Sequence, residues 1–379
     1  MKLTIVSHTP HYQSASGEVK GWGPTIREIN HLRAIFSEIT HVAPLHEGEP
    51  PQSALPYESG ITLVPLRPAG GATLRDKWAV LRAAFFNISI LWKQYQNEGW
   101  LHLRAPANIM LYALPLLRLR SNRQCWVKYA GSWRDANVSR TFRWQRWALS
   151  QNLQGSLVTV NGRKPQDLAH IISFENPCLE KAEIELGQQS FEHKDYSGKI
   201  NLCFVGQLEA GKGILQLLEA VKLLDASGQV DRFDIVGDGK LRQQVKALSA
   251  QFTSIKIYLH GYLQREAINL IYAGSHINIL PSDSEGFPKV IAEGAAYGAI
   301  PVVTDISSLA EYINDTNGRL LSNNSPAEIL RGIQELLAME SVVLKSIASN
   351  AVNLAQRFTY DRFLQQIREQ ILALPDPVD

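Results

Sequence analysis

The segment Ser282–Glu293, SDSEGFPKVIAE, carries the clearest indication of how this chain folds. It follows the short apolar run Ile277–Leu280, which is typical of a buried strand. We predict that a helix begins near Phe287 with Pro288 in its first turn, because proline is tolerated at that position. A strand, a loop and a helix in this order are the units of a parallel sheet covered by helices on both faces.

The same alternation of apolar runs and helical patterns continues along both halves of the 379-residue chain. A chain of this length exceeds the usual size of one hydrophobic core, so we expect two α/β domains. We predict an N-terminal domain over residues 1–180 and a C-terminal domain over 199–357. The polar stretch Glu180–Lys199 is interpreted as the linker, and 358–379 as a helix that packs toward the N-terminal domain. The strands are expected near Leu3–Val6, Ile39–Ala43, Ile61–Val64, Leu101–Leu103, Trp126–Tyr129, Leu157–Val160, Ile200–Val205, Phe233–Val236, Ile255–Leu259, Ile277–Leu280 and Ile300–Val303.

The composition and the N-terminus exclude several classes of protein. A chain with 45% hydrophobic and 20% charged residues is an ordinary globular protein, and its net charge of +2 indicates no nucleic-acid partner. Its three widely spaced cysteines indicate neither a disulfide framework nor a zinc site. A reducing cytoplasm fits this cysteine usage, and the N-terminus lacks the features of a signal peptide, so we expect a cytoplasmic protein. No metal site is predicted, because the following histidines lack partners at metal-ligand spacing: His8, His11, His102 and His260.

Two glutamates in the opening segment indicate a binding site. Glu285 lies in the loop before the predicted helix and Glu293 about two turns inside it, so both carboxylates can accept hydrogen bonds from hydroxyl groups in one cleft. The start of the helix favours a phosphate, and Gly286 allows the backbone to come close to it. Ligands of open α/β sheets bind at such carboxyl ends of parallel strands. The alternative is a solvated helix face with an ordinary cap.

Residues 285–313, EGFPKVIAEGAAYGAIPVVTDISSLAEYI, resemble the E-x7-E region of family 4 retaining glycosyltransferases. The resemblance implies the α/β GT-B fold, with two Rossmann-like, doubly wound domains facing across a cleft. It implies that the N-terminal domain, 1–180, binds the acceptor and that the C-terminal domain, 199–357, binds the nucleotide sugar. It implies that Glu285 contacts the hydroxyls of the donor sugar and that Glu293 contacts the ribose. The implied reaction is metal-independent transfer of a sugar from a UDP- or GDP-linked donor to an acceptor hydroxyl, with retention and without a cofactor. Polysaccharide and glycolipid synthesis are the implied pathways, with a carbohydrate or lipid-linked acceptor.

A second segment, VGQLEAGKGILQLLEAVKLL at 205–224, resembles the same family. The resemblance assigns Lys212 to the donor diphosphate, where a positive charge would stabilise the departing nucleotide without a metal. Gln207, after Gly206, stands where the family commonly has an arginine, and it can donate hydrogen bonds but carries no charge. The alternative is that Lys212 is a surface lysine.

A third segment, FDIVGDGKLRQQVKAL at 233–248, resembles the family's strand and glycine turn at Gly237. A dinucleotide fingerprint fits less well, because Arg242 stands at the third glycine position. By resemblance, the backbone at Tyr262 and Leu263 borders the nucleotide base, although Tyr262 fits a plain core or surface aromatic equally well. The predicted donor-binding residues are Gly206, Gln207, Lys212, Gly237, Tyr262, Leu263, Glu285, Gly286, Phe287, Pro288, Lys289, Val290 and Glu293, and the predicted catalytic residues are Glu285 and Lys212.

Two features of the N-terminal half are also candidates for function. By resemblance, Gly21 and Gly23 belong to a glycine-rich loop that faces the donor diphosphate and the acceptor. The segment Trp133–Trp147, WRDANVSRTFRWQRW, interleaves aromatic and arginine side chains and predicts peripheral binding to an anionic membrane surface. Its alternative is a helix whose tryptophans fill the core.

Two other functions are compatible with the sequence. A GT-B-fold sugar-nucleotide epimerase would need the same donor cleft but no acceptor. A non-catalytic GT-B scaffold is favoured by Gln207 and disfavoured by the intact segment EGFPKVIAE.

Overall fold

The computed structural model describes residues 1–68, 74–119, 124–131, 133, 138–162, 167–285, 288–306 and 308–372, except for the side chains of 74–77 and 81. The chain forms two compact units. Unit 1 comprises Met1–Glu175 with Arg362–Asp379, and unit 2 comprises Asn176–Asp361. Each unit is an α/β domain built on a sheet whose central strands are parallel, so the predicted fold class is confirmed.

Among its described residues, unit 1 has seven parallel strands in the order β10-β9-β8-β7-β1-β4-β6. Three short strands, β2, β3 and β5, extend the sheet from β4, and the β2–β3 and β3–β5 pairs are antiparallel. The strands are β1 (Lys2–Val6), β2 (His11–Gln13), β3 (Val19–Trp22), β4 (Glu38–His46), β5 (Ala54–Pro56), β6 (Ile61–Leu66), β7 (Trp100–Ala105), β8 (Cys125–Tyr129), β9 (Leu157–Val160) and β10 (Ile171–Ser173). The helices before the second unit are α1 (Gly23–His31), α2 (Leu74–Tyr95), α3 (Met110–Leu117) and α4 (Arg140–Ser150).

Unit 2 has a fully parallel sheet in the order β13-β12-β11-β14-β15-β16. Counted from β11, this is the doubly wound order 3-2-1-4-5-6, which reverses direction between the neighbouring strands β11 and β14. The strands are β11 (Ile200–Val205), β12 (Val230–Val236), β13 (Lys256–Gly261), β14 (Ile277–Leu280), β15 (Ile300–Thr304) and β16 (Arg319–Leu321). The helices are α5 (Lys181–His193), α6 (Ile214–Lys222), α7 (Arg242–Ser249), α8 (Arg265–Gly274), α9 (Lys289–Ala296), α10 (Pro326–Leu337) and α11 (Ser341–Ala355), and α12 (Tyr360–Gln366) leads from unit 2 back into unit 1.

All the strands predicted from the sequence are present. Their runs are apolar because parallel strands are buried on both faces, as in β14, where every residue from Ile277 to Leu280 is buried. The strands that the sequence did not reveal, β2, β3, β5, β10 and β16, have only three or four residues each.

The predicted linker, Glu180–Lys199, is wrong as a description of this stretch, because Lys181–His193 forms the helix α5 of unit 2. Glu180 and Glu183 form a reciprocal capping box at its start. At Gly187 an added Cβ would lie 2.3 Å from the carbonyl oxygen of Ala296, so α5 packs closely on α9. The stretch is polar because most of this helix faces solvent, not because it is unstructured.

The C-terminal segment 358–379 begins with a 3-10 turn in unit 2, and α12 then continues as a π-helix, Ile367–Leu372. Its apolar side chains, among them Phe363 and Ile367, are buried in the same cluster as Leu3 and Ile5 of β1. The described part of this segment therefore completes the core of unit 1, and residues 373–379 lie outside the described residues.

Candidate functional site

The switch point of unit 2 lies between two loops that contact each other. After β11 the chain passes through Gly206 and Gln207 into a 3-10 turn, Ala210–Lys212. After β14 it passes through Pro281–Glu285, and the backbone N–H of Asp283 donates to the carbonyl of Gly211 at 2.9 Å. Open α/β sheets bind ligands at this position.

Glycine is required where these two loops meet. Gly213 has a φ of +70° and precedes α6, and an added Cβ would lie 2.1 Å from the carbonyl oxygen of Pro281. Any larger residue would push the loops apart. The GKG sequence therefore sets the distance between Lys212 and the loop that carries Glu285.

Lys212 and Glu285 form an ion pair across the switch point, in which the Lys212 ammonium donates to Oε1 of Glu285. The Ser282 hydroxyl donates to the same oxygen at 2.8 Å. Both side chains are partly buried, so they are held in defined positions but remain within reach of a ligand. The structure thus brings the two residues predicted to be catalytic into direct contact.

Glu293, the second glutamate of the motif, has different partners. It is buried and accepts a hydrogen bond from Nη1 of Arg265, the first residue of α8. Arg265 also donates to both carboxylate oxygens of Glu183, at 2.5 and 2.9 Å, and to the carbonyl of Cys178 at 2.8 Å. Burial raises the pKa of Glu183, but hydrogen bonding and attraction by Arg265 outweigh it and lower this pKa below its ordinary value. Helices α5, α8 and α9 are thereby joined by one buried guanidinium.

Sequence reasoning missed this network, which we call the Arg265 cluster: Glu183, Arg265 and Glu293. Arg265 stands three residues after Tyr262 in the segment predicted to border the base, which was the available signal. The cluster holds the carboxylate of Glu293 beside the start of α8.

The start of α9 differs slightly from the prediction. The helix begins at Lys289, and Pro288 is its N-cap and not part of the first turn. Val290 is partly buried against the core of unit 2, and its carbonyl accepts from Nδ2 of Asn278 at 2.8 Å, so this residue contributes to packing α9 on β14. Two predicted site residues lie outside the described residues: Gly286 and Phe287.

The turn after β12 and the end of β13 complete the edge of the site. Gly237 has a φ of +133°, and an added Cβ would lie 1.9 Å from the carbonyl oxygen of Gly206. Its N–H donates to the carbonyl of Gly261 at 2.8 Å. Beyond Gly261, Tyr262 is exposed and Leu263 packs against the core. The carboxyl ends of β13, β12, β11 and β14 therefore present the described parts of the predicted donor-binding segments side by side.

The prediction that Gly21 and Gly23 belong to a glycine-rich loop in unit 1 is wrong. Gly21 lies within β3, where an added Cβ would be 2.6 Å from the ring of His11. Gly23 is the first residue of α1, and its N–H donates to the carbonyl of Ser53 at 3.1 Å. Both glycines are explained by close packing, and contact with an acceptor or diphosphate stays a prediction.

Behind Gly21 a buried chain of hydrogen bonds fixes the tautomers of two histidines. The Nδ1–H of His11 donates to the carbonyl of Thr9 at 2.8 Å, so its Nε2 accepts from the Tyr57 hydroxyl at 2.6 Å. Tyr57 in turn accepts from Nδ1–H of His41 at 2.6 Å, and Nε2 of His41 accepts from the Ser7 hydroxyl at 2.7 Å. Every donor and acceptor in this series of hydrogen bonds is satisfied only while both imidazoles are neutral.

Within the described ranges, no group of three His, Cys, Asp or Glu side chains could hold a metal ion.

We expect the free energy of unfolding of unit 1 to decrease as the pH falls from about 6.5 to about 4. Burial lowers the pKa of His11 to about 4 and lowers the pKa of His41 and of His102 well below the ordinary value of 6.5. In the unfolded chain these histidines bind protons near pH 6.5, so the unfolded state is favoured below this pH. His11 alone lowers the free energy of unfolding by about 3 kcal/mol by pH 4.

Urea unfolding monitored by tryptophan fluorescence measures this effect, because all eight tryptophans lie in unit 1. Replacing the exposed His193 of α5 by Asn is the control and should leave the pH dependence unchanged. An unfolding midpoint that is constant from about pH 7 to about pH 5 would contradict the assigned tautomers.

A second concave region lies in unit 1, at the carboxyl ends of β1, β4, β6 and β7. It is a cavity of about 610 Å³ with apolar walls and a few polar groups. Its polar lining residues are His8, His46, Arg67, Asn87, Asn108 and Tyr112. Cavities of this size and character are typical of small-molecule sites.

The tryptophan- and arginine-rich segment Trp133–Trp147 is only partly exposed. Trp133 packs edge-on against Tyr129 at 5.1 Å, and its carbonyl accepts from Nη1 of Arg146 at 2.6 Å. Trp147 is 53% exposed on α4. Within the described part of the segment, the aromatic side chains are thus divided between core and surface, and residues 134–137 lie outside it.

A family model and two curated relatives indicate the same family. The model of the glycosyl transferases group 1 family matches residues 187–353, which lie within unit 2. An uncharacterized glycosyltransferase of Methanocaldococcus jannaschii is 27% identical over 174 residues, 46% of this chain and 48% of that protein. The amylovoran biosynthesis glycosyltransferase of Erwinia amylovora is 27% identical over 184 residues, 45% of each chain. The chain spans about half the length of these curated relatives.

The fold extends over the whole chain. The crystal structure of an alpha,alpha-trehalose-phosphate synthase (UDP-forming) from Burkholderia xenovorans superimposes with a TM-score of 0.71 at 10% identity, covering 98% of this chain and all of that one. Residues 187–353 therefore match the glycosyl transferases group 1 family, and the chain has the GT-B fold.

Proposed function

We propose that this protein is a retaining, metal-independent glycosyltransferase that transfers a sugar from a nucleoside diphosphate to an acceptor hydroxyl. The observation that carries the proposal is the ion pair between Lys212 and Glu285 at the switch point of the group 1 domain. The ammonium supplies a charge for the donor diphosphate, and the carboxylate accepts hydrogen bonds from the hydroxyls of the transferred sugar.

In the proposed reaction, the acceptor oxygen forms a bond to the anomeric carbon while the bond from that carbon to the diphosphate breaks. The acceptor proton passes to the leaving phosphate on the same face of the sugar. Lys212 stabilises the negative charge that develops on the leaving group. Gln207 adds a hydrogen-bond donor where the resemblance expects a second cation, so Lys212 carries most of this stabilisation.

The row of strand ends suits an extended donor. Four adjacent strands, β13, β12, β11 and β14, span about 14 Å at about 4.8 Å per strand. The base would lie near Tyr262 and Leu263, the ribose near Glu293, the diphosphate near Lys212 and the sugar near Glu285. A synthase of the same fold is named as UDP-forming, and this name supports a UDP-linked donor.

The acceptor would bind in unit 1. The cavity of about 610 Å³ combines apolar walls with His8, His46 and Arg67, which suits an amphipathic acceptor that carries a carbohydrate. The match to an amylovoran biosynthesis glycosyltransferase supports polysaccharide synthesis.

Sugar release from a panel of UDP-, GDP- and ADP-sugars, with and without acceptors, tests the proposal. Chelation by EDTA should leave turnover unchanged, and NMR of the product should show the anomeric configuration of the donor. Conversion of a sugar nucleotide without an acceptor would favour an epimerase instead, and binding without turnover would favour a scaffold.

Replacing Glu293 by Gln should weaken binding of the cognate nucleotide about 10- to 100-fold, since a hydrogen bond to a charged group contributes about 1.5–3 kcal/mol. Calorimetry should also show that the wild-type protein loses a similar factor for the 2′,3′-dideoxy nucleotide, whereas the variant does not distinguish the two nucleotides. The matched control is Glu266→Gln, an exposed glutamate in the first turn of α8. An equal preference for the ribose hydroxyls in wild type and variant would reject the role of Glu293.

A further inference from the structure

Helix α2 exposes a row of aromatic side chains along one face. Trp78, Phe85 and Trp92 are spaced by seven residues, about two helical turns, and are 68%, 84% and 41% exposed. Phe86, beside this row, is 40% exposed. Four large exposed rings on one side of a helix present far more apolar surface than scattered single residues do. We call these four residues the α2 aromatic face.

The opposite face of α2 is also apolar. Ala83, Leu91 and Tyr95 are buried in unit 1, and Asn87 holds the backbone of Arg67 through two hydrogen bonds of 3.0 and 3.2 Å. The position of the helix is therefore fixed by this inner side. A helix with apolar residues on both sides needs a partner for the outer one.

The surroundings of the α2 aromatic face are basic. Arg82 and Lys93 are exposed on the same side of the helix, and the guanidinium of Arg67 lies 4.0 Å from the ring centre of Phe86. The sequence Trp78–Tyr95 contains no Asp or Glu. Residues 61–166 contain 16 Lys and Arg but only three Asp and Glu, whereas the net charge of the whole chain is only +2. Positive charge is thus concentrated in the part of the chain that carries α2.

We propose that the α2 aromatic face docks on the surface of an anionic lipid bilayer. The rings would lie at the depth of the headgroups, where aromatic side chains are favoured, and Arg82, Lys93 and Arg67 would contact lipid phosphates. Among the described helices, none is long and apolar enough to cross a membrane, so α2 would lie in the plane of the interface. This binding goes beyond sugar transfer and can be measured without it.

A second copy of the chain fits the α2 aromatic face less well than a bilayer does. It would bring two basic surfaces together, and like charges repel. The segment Trp133–Trp147 is in turn a weaker candidate for membrane contact than α2. Trp133 is packed inward there, and a single strongly exposed ring is left at Trp147.

Co-sedimentation of the full chain with vesicles tests the proposal. Vesicles of phosphatidylcholine with phosphatidylglycerol should bind the protein, vesicles of phosphatidylcholine alone should bind it weakly, and salt should reduce binding. The double variant Trp78→Ser, Phe85→Ser should lower the partition coefficient at least about tenfold, and Arg82→Glu with Lys93→Glu at least about thirtyfold. The control is Leu270→Ser, a residue 74% exposed on α8 of unit 2.

Three outcomes would overturn the proposal: no binding to the anionic vesicles at low salt, binding unaffected by both double variants, or loss of binding in Trp147→Ser but not in the α2 variants. Sedimentation equilibrium without lipid supplies an independent readout. A dimer that dissociates in the Trp78 and Phe85 variant, without vesicle binding in the wild type, would assign the face to a second copy. Tryptophan fluorescence without lipid verifies that each variant is folded.

Discussion

Lys212→Ala is expected to lower the turnover number about 10²- to 10³-fold, the loss that accompanies removal of one group that stabilises a developing negative charge. The charge on the leaving diphosphate is larger in the transition state than in the bound donor, so the donor affinity should change much less. Turnover measured at saturating donor, together with calorimetric titration of the nucleoside diphosphate, separates these two effects.

The controls for this prediction use other lysine changes. Lys246→Ala removes an exposed lysine from α7 of the same unit and should leave turnover unchanged. Lys212→Arg retains the positive charge and should retain more activity than Lys212→Ala. If Lys212→Ala weakened donor binding and left the turnover number intact, the residue would contribute uniform binding and not catalysis.

The sequence identified the parallel strands and the donor segments because both are local patterns. A strand buried on both faces reads as a continuous apolar run, and β14 followed by Pro281–Glu285 needs no long-range information to be recognised. The resemblance assigned Lys212 to the diphosphate and Glu285 to the sugar of one donor, so the two residues were expected in one site but not in direct contact. What the sequence did not reveal is that β11 and β14 are neighbours at the reversal of a 3-2-1-4-5-6 order.

The errors concern features that depend on tertiary packing. The polarity of Glu180–Lys199 suggested a linker, whereas the contact of Gly187 with α9 makes part of this stretch a packed surface helix. Gly21 and Gly23 suggested a loop. The sequence does not show that the ring of His11 and the carbonyl of Ser53 occupy the space that side chains at these two positions would need.

The periodicity of a sequence likewise does not show which side chains of a helix are exposed to solvent. The aromatic residues of α2 and those of Trp133–Trp147 look equally suited to a core or a surface. In the structure, Trp133 packs against Tyr129, whereas Phe85 is 84% exposed. We therefore propose that α2, whose rings face solvent, contacts the membrane, and not Trp133–Trp147, which has the denser pattern of rings and arginines.

Arg265→Met should lower the free energy of unfolding of unit 2 by about 3–5 kcal/mol, because removing one partner of a buried ion pair leaves uncompensated charge. Arg265 is only 17% exposed and contacts both Glu183 and Glu293, so the variant buries two carboxylates without their cation. Tryptophan fluorescence cannot report on this change, since unit 2 contains no tryptophan. Hydrogen exchange of peptides from α8 and α9 measures it directly.

Arg331 of α10 provides a matched control, because it also pairs with two glutamates, Glu328 and Glu335, but is 47% exposed. Solvent screens its interactions, so Arg331→Met should cost only about 0–1 kcal/mol. Adding Glu183→Gln to Arg265→Met should recover part of the lost stability, since it removes one of the two buried carboxylates that lack a cation.

Equal destabilisation by Arg265→Met and Arg331→Met would show that burial does not determine the stability contributed by the Arg265 cluster. Weaker nucleotide binding with unchanged exchange protection would instead place Arg265 in direct contact with the donor, so the two measurements together distinguish a residue that positions Glu293 from one that binds the ligand.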